Sequence, residues 1–367
     1  MKLLIFVLLA AGAAVAAADD SNNPDDSVPE SPVAEIAETA RHFTRAKTIK
    51  KSAPHYPQSE LRRGREAWVH VTYCVDESGN VQNVTVLDSI GSDRFESEAV
   101  KTVQNWEYEP ATQDGKPAWQ SRNEVLISFA LSGDNKGASR KFINQYRKLG
   151  ALIEAGDLEA SDALFWDIYN TEKLSLYELG KLWSQRVRHE AMAGDVYRTH
   201  MALTRATASH GDWIDKDSYV QLLSVRAQLE IQLGKYYEAI RSYRDLVETT
   251  GEDDERVLKL QPMIESLEAM IAGDKILGIP AEIRPRGDCK FCNDSWDFTP
   301  VRNNFTLKNI QGSLESIDMR CDHKRFESAV SDQVEWDVPE AWGQCHIQIY
   351  GEPGTTFDVF LLPAADG

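Results

Sequence analysis

Hydrophobic and polar residues alternate in two stretches of this chain and recur at helical spacing between them. In Trp68-Val-His-Val-Thr-Tyr-Cys-Val75, Val69, Val71, Tyr73 and Val75 share one face, and Trp68, His70, Thr72 and Cys74 share the other. This is the two-residue period of a half-buried strand. Asp76-Glu-Ser-Gly-Asn80 reads as a hairpin loop whose glycine accepts positive φ, and Val84 and Val86 carry the apolar face back. Over 92–106 the period changes. Phe95, Ala99, Val103 and Trp106 fall three or four apart, on one side of a helix. Ser92 or Asp93 is placed to cap it, with Asp93 and Glu96 at capping-box spacing. Pro110 and Gly115-Lys-Pro117 stop the helix and turn the chain. Val125, Ile127, Phe129 and Leu131 then alternate with Glu124 and Ser128. The order predicted is β-β-α-β, a small antiparallel sheet with one helix across a face.

From about 136 to 275 the strand period disappears. Leu152-Ile-Glu-Ala-Gly-Asp157, Glu190-Ala-Met-Ala-Gly-Asp195 and Glu230-Ile-Gln-Leu-Gly-Lys235 share a helix-Gly-helix layout, with Gly156, Gly194 and Gly234 spaced 38 and 40 residues apart. A glycine between helices serves as a positive-φ cap, and such spacing marks a repeat. Tyr236-Tyr-Glu-Ala-Ile-Arg-Ser-Tyr243 resembles the second half of a tetratricopeptide repeat, with Ala239 at the helix crossing and Tyr243 one turn later. Ser161 with Phe165, and Thr199 with Leu203, hold the matching places. Stacked repeats of this kind form curved surfaces for other proteins or peptides. Equally, they can serve only as spacers or dimerise. Phe165, Trp166, Tyr169, Trp183, Trp213 and Tyr219 are read as core.

Over 280–365 alternation returns: Phe305 and Leu307; Ile317, Met319 and Cys321; Val334, Trp336 and Val338; Cys345, Ile347 and Ile349; Phe357, Val359 and Leu361. Short strands separated by turns predict a small β-sandwich. The fold class is thus α+β multidomain.

The residues within 54–131 are more specific than their periods. Tyr56-Pro57 opens the block, Val75-Asp-Glu-Ser-Gly-Asn-Val81 forms the hairpin, and Trp106-Glu-Tyr-Glu-Pro-Ala111 follows the helix. In this order and spacing they resemble the periplasmic C-terminal domain of TonB-family energy transducers. One departure is Glu66-Ala67-Trp68, where the family usually has Glu-Gly before the first strand. The resemblance implies a domain over 51–133 that captures an extended segment of an outer-membrane transporter as an added strand. The receiving edge would be 123–131, with Val125, Ile127 and Phe129, and the Tyr56-Pro57 region would lie near the partner. Main-chain bonds at about 1 kcal/mol net each barely offset the ordering of a peptide, so capture is expected to be weak and reversible.

The setting modifies that expectation. Met1-Lys2, the apolar run Leu3 to Ala18 and the small residues Ala16-Ala17-Ala18 predict a signal peptide over 1–18, since a membrane span needs about 20 apolar residues. Residues 19–50 read as a disordered leader, acidic and polar at first and basic at Arg41, Arg45, Lys47 and Lys50. A full energy transducer keeps an N-terminal membrane helix and a long Pro-rich spacer, whereas only Pro24, Pro29 and Pro32 precede this block. The expectation is therefore a periplasmic adaptor without a stable membrane span. A transducer with an uncleaved N-terminal helix, anchored in the inner membrane, is the alternative.

The net charge of −18 over 367 residues disfavours nucleic acid and anionic lipid surfaces. Four of the five cysteines, Cys289, Cys292, Cys321 and Cys345, fall in the last block. In an exported chain this suggests two disulfides, and of the possible pairings Cys289–Cys292 with Cys321–Cys345 is favoured. A redox dithiol at Cys289-Lys-Phe-Cys292 lacks a βαβ context, and a zinc site lacks a second close Cys pair. No phosphate loop, His-Glu-x-x-His helix or Gly-x-Ser-x-Gly elbow is present. The sequence therefore predicts no enzyme, cofactor or metal; an exported redox protein using Cys289 and Cys292 is the remaining alternative.

Overall fold

The computed structural model describes residues 43–131, 137–171, 173–208, 212–284, 294–330 and 334–363, and all of these belong to one contact unit. The expected signal over 1–18, and the leader up to residue 42, lie outside the described residues.

Strands β3 (Ala67–Val75) and β4 (Val81–Ile90) form the first hairpin. Helix α1 (Gln58–Arg63) precedes it, α2 (Asp93–Gln104) follows, and β8 (Gln120–Phe129) pairs antiparallel with β3. The sheet order is β4-β3-β8. Val69, Val71 and Tyr73 pack with Phe95, Ala99 and Val103, so the two-residue and helical periods meet in one core. At the start of α2, Ser92 is the N-cap but makes no side-chain cap bond; Glu96 instead accepts the Ser89 hydroxyl at 2.5 Å.

Five short strands frame this unit: β1 (Phe43–Thr44), β2 (Lys47–Lys50), β5 (Glu107–Glu109), β6 (Ala111–Gln113) and β7 (Lys116–Ala118). β1 pairs with β6, β6 with β7 and β2 with β5. Residues 43–50, expected to be disordered, are therefore paired main chain. The polar sequence hid this because pairing comes from distant partners: Thr48 faces Tyr108, Lys50 meets Glu107 at 3.1 Å, and the neighbouring Lys51 lies over the Trp106 ring.

Among the described residues seven helices follow: α3 (Arg140–Glu154), α4 (Leu158–Thr171), α5 (Leu176–Ala193), α6 (Val196–Ala206), α7 (Lys216–Gln232), α8 (Tyr236–Thr250) and α9 (Glu255–Ala272). Gly156, Gly194 and Gly234 sit between the members of three successive pairs with φ of +74°, +77° and +69°. Ser161, Phe165, Thr199, Leu203 and Ala239, which matched across the repeats, are all buried. The aromatics read as core include the edge-to-face pair Phe165–Trp183, with ring centroids 5.2 Å apart. No helix among the described residues is long and apolar enough to cross a membrane.

The last block comprises β9 (Leu277–Glu282), β10 (Ser295–Phe298), β11 (Asn304–Gln311), β12 (Leu314–Cys321), β13 (Arg325–Ala329), β14 (Glu335–Asp337), β15 (Cys345–Gly351) and β16 (Thr356–Leu361). They form two four-stranded antiparallel sheets, β10-β15-β12-β13 and β14-β11-β16-β9, around a core of Ile279, Phe298, Phe305, Ile317, Met319, Ile347 and Val359. Arg302 joins this block to the helices by donating to the carbonyls of Met270, Ile271 and Gly273 at the end of α9. Those carbonyls have no partner within the helix, and a guanidinium there also complements the helix dipole.

The three parts share cores. Trp68 and Ile90, on the face of the first sheet opposite α2, pack with Leu149, Ile153, Phe165 and Leu182 of the helices. Trp68 stacks on Trp213 with ring centroids 6.5 Å apart. Cys74, on the same face, is fully buried, and its thiol donates to the Ser121 carbonyl.

Candidate partner-binding edge

Strand β8 has one hydrogen-bonded neighbour among the described residues, β3, so its other side is an open sheet edge. Glu124 and Ser128 are exposed along it, whereas Ile127 and Phe129 are 6% and 2% exposed. Val125 is half-buried against the same core. The side chains of Val125, Ile127 and Phe129 therefore face α2, and what the strand offers outward is main chain. An extended strand alternates its side chains between two faces, so residues of one parity do not serve both core and partner.

Tyr56 and Pro57 lie beside this edge in a supporting place. The Tyr56 ring packs edge-on against Phe95 and Phe129, and its hydroxyl donates to the Arg65 carbonyl. Burial, with Glu66 and Glu60 nearby, pushes its pKa well above the usual phenol value. Pro57 is the N-cap of α1, and its carbonyl accepts from Glu60 and Leu61 at 2.9 Å each.

Both ends of β8 are fixed. At its start the Gln120 side chain accepts the Ala46 N–H at 2.8 Å, and the Arg122 guanidinium lies over the Tyr237 ring of α8. Just past its end, Glu66 accepts from Leu131 N–H at 2.8 Å with one oxygen and from Leu176 N–H at 2.7 Å with the other. One carboxylate thereby ties the strand to the start of α5. In the middle, Glu124 meets His70 at 3.2 Å. Burial opposes the charge on Glu124, but the hydrogen bond and charge of His70, with His346 and Arg122 nearby, hold its pKa at about 2.

The opposite strand, β4, is held from both neighbouring parts. Asp88 takes Arg205 of α6 in a forked pair, with Nη2 at 2.7 Å and Nε at 3.1 Å. Arg205 is 2% exposed and lies over the Trp183 ring. Arg320 of β12 donates to the Asn83 carbonyl and the Thr85 hydroxyl, both at 2.9 Å. These anchors carry no local sequence signal, because Asp88 and Arg205 are 117 residues apart.

Cys321 and Cys345 face each other across β12 and β15 and form a disulfide. Cys289 and Cys292 lie outside the described residues. No group of three or more metal-ligating side chains is assembled among the described residues.

Residues 52–131 match the family model described as Gram-negative bacterial TonB protein C-terminal. Protein TonB of Yersinia enterocolitica is 33% identical over 86 residues, which is 23% of this chain and 32% of that protein. Protein tonB2 of Pseudomonas aeruginosa is 35% identical over 82 residues, 22% of this chain and 29% of that protein. The chain thus spans about a third of the length of the curated relatives it matches. The solution NMR structure of the Pseudomonas aeruginosa TonB CTD, 23% identical, covers 25% of this chain and 90% of that one at a TM-score of 0.21. Residues 52–131 are the part of this chain that matches the TonB C-terminal family.

Proposed function

We propose that this protein is a periplasmic interaction module of TonB type, which binds an extended segment of an outer-membrane transporter by adding it as a strand to β8. The observation that carries this reading is the open edge of β8 in a sheet whose other outer strand is anchored. An edge strand presents unpaired N–H and C=O groups, so an incoming peptide gains main-chain bonds with little demand on its sequence. The family match over 52–131 supplies the class of partner. The helices and sandwich serve as the platform that holds the edge, which suits an adaptor.

Main-chain proline at an exposed edge position tests it. Ser128 is exposed, so Ser128→Pro disturbs the edge main chain without emptying the core, whereas Ile127→Pro would also strip a buried side chain. A photo-crosslinker at the exposed Ala130, next after β8, should join the protein to a periplasm-facing segment of an outer-membrane transporter in Gram-negative envelope. Loss of about 1 kcal/mol per main-chain bond lowers that yield roughly fivefold in Ser128→Pro, while Ser128→Ala keeps it. Equal yields from folded Ser128→Pro and the parent protein would rule out strand addition at this edge.

A further inference from the structure

A cavity of about 200 Å³ opens where the first sheet, the helices and the sandwich meet. Most charges in its wall are matched within the wall. Glu124 meets His70 at 3.2 Å, Lys235 meets Asp297 at 3.0 Å, and Arg226 meets Glu230 at 2.7 Å. Three further charged lining groups among the described residues, Arg122, Arg241 and Glu238, keep donors or an acceptor for a ligand. Arg122 lies 5.5 Å from the Tyr237 ring centre and makes no ion pair with a carboxylate. Arg241, exposed at the rim, has no ion pair either. Glu238 accepts the Thr299 hydroxyl on Oε1 at 2.8 Å, while its Oε2 is buried and has no hydrogen-bond partner.

A buried carboxylate oxygen without a donor is costly, and the cost is removed by a ligand that brings the donor. The two arginines offer the reverse: planar donor forks that match a carboxylate. Two arginines without a carboxylate partner and a carboxylate oxygen without a donor, in one small cavity, fit a ligand that carries both charges. At about 30 Å³ per water, the space holds roughly six or seven waters, the scale of a small amino acid. We infer that this cavity is a binding site for a free α-amino acid. Its carboxylate sits between Arg122 and Arg241, and its ammonium donates to Glu238 Oε2. Because Arg122 belongs to the first sheet and Glu238 and Arg241 to α8, a bound amino acid bridges the sheet and the helices.

The inference is independent of strand addition at β8 and is tested on the full chain by calorimetry and thermal shift. The probes are the common amino acids, each compared with its amide and its N-acetyl form. At least one amino acid should bind and raise the melting temperature. Each capped form, which lacks one charge, should bind at least about tenfold more weakly. Glu238→Gln and Arg122→Gln should each weaken binding by a similar factor. Arg241→Gln, at the exposed rim, provides a second cation test that does not disturb the fold. No binding by any amino acid at about 10 mM means that the cavity holds water only and overturns the inference. Equal binding of capped and free forms, or unchanged binding in Glu238→Gln, overturns it as well.

Discussion

Gly156 and Gly234 hold the same place in two helix pairs and share a left-handed backbone, yet their surroundings differ. A Cβ added at Gly156 meets nothing within 4 Å. At Gly234 it would lie 2.6 Å from Ile279 Cγ2 and 2.9 Å from Cγ1, against a side chain buried in the sandwich core. Gly156→Ala therefore carries only the backbone penalty, about 1–2 kcal/mol. Gly234→Ala adds the cost of overpacking, about 1–3 kcal/mol more. Denaturant unfolding of the two variants should show the larger loss at 234. Equal losses would mean that Ile279 moves aside freely and that the helix-sandwich contact is loose.

At the scale of elements, α5 and α7 repeat a charge pattern as well as a glycine. Arg186 and Glu190 precede Gly194 as Arg226 and Glu230 precede Gly234, and both pairs form ion bridges, at 2.6 and 2.7 Å. Glu230 is fully buried, where it also accepts from Ser242 of α8 at 2.7 Å and meets His200 of α6 at 3.3 Å. Burial opposes its charge, but Arg226, His200 and Ser242 outweigh that and hold its pKa at about 2, below the usual 4.5. A depressed carboxyl pKa stabilises the fold above about 4.5, and that contribution is lost as pH falls toward 2. Glu230→Gln leaves the half-buried Arg226 beside a neutral amide, which costs about 1–3 kcal/mol near neutral pH. Unfolding measured near neutrality and near pH 3 should show a smaller acid-induced loss in this variant than in the parent. An acid-induced loss as large as the parent's would remove Glu230 from the account.

The same elements show what the sequence made legible. Alternation located β3, β4, β8 and most sandwich strands because each buries one face, and the glycine spacing located the helix pairs. The Arg and Glu recurrence was present at the same 40-residue spacing but is not a hydrophobic signal, so periodicity passed over it. The short strands β1, β2 and β5 to β7 left no pattern, since two to four residues hold too few alternations and their pairing is non-local. Val125, Ile127 and Phe129 turn their side chains to the core, so at the proposed edge they would meet a partner through main chain alone. The open edge was legible from the resemblance; the cavity beside it was not, because Arg122 of β8 and Glu238 and Arg241 of α8 line one cavity only after sheet and helices pack together.

For the whole molecule, the decisive contact is the one between β4 and α6. Asp88 and Arg205 are both buried, and the guanidinium lies on Trp183 within the core that also takes Trp68 and Ile90. A buried ion pair adds little over a well-packed apolar pair, but losing one partner strands the other charge, at about 3–5 kcal/mol. Asp88→Ala and Arg205→Ala should each cost about that much in denaturant unfolding. The double variant strands no charge, so its loss should fall short of the sum of the single losses by more than about 1 kcal/mol. Additive losses below about 1 kcal/mol each would mean that water reaches the pair and that the first sheet rests on the helices without being fixed there. A fixed sheet matters for the proposed role: β3 lies between β8 and β4, so the anchors on β4 keep the receiving edge in one orientation toward an incoming strand.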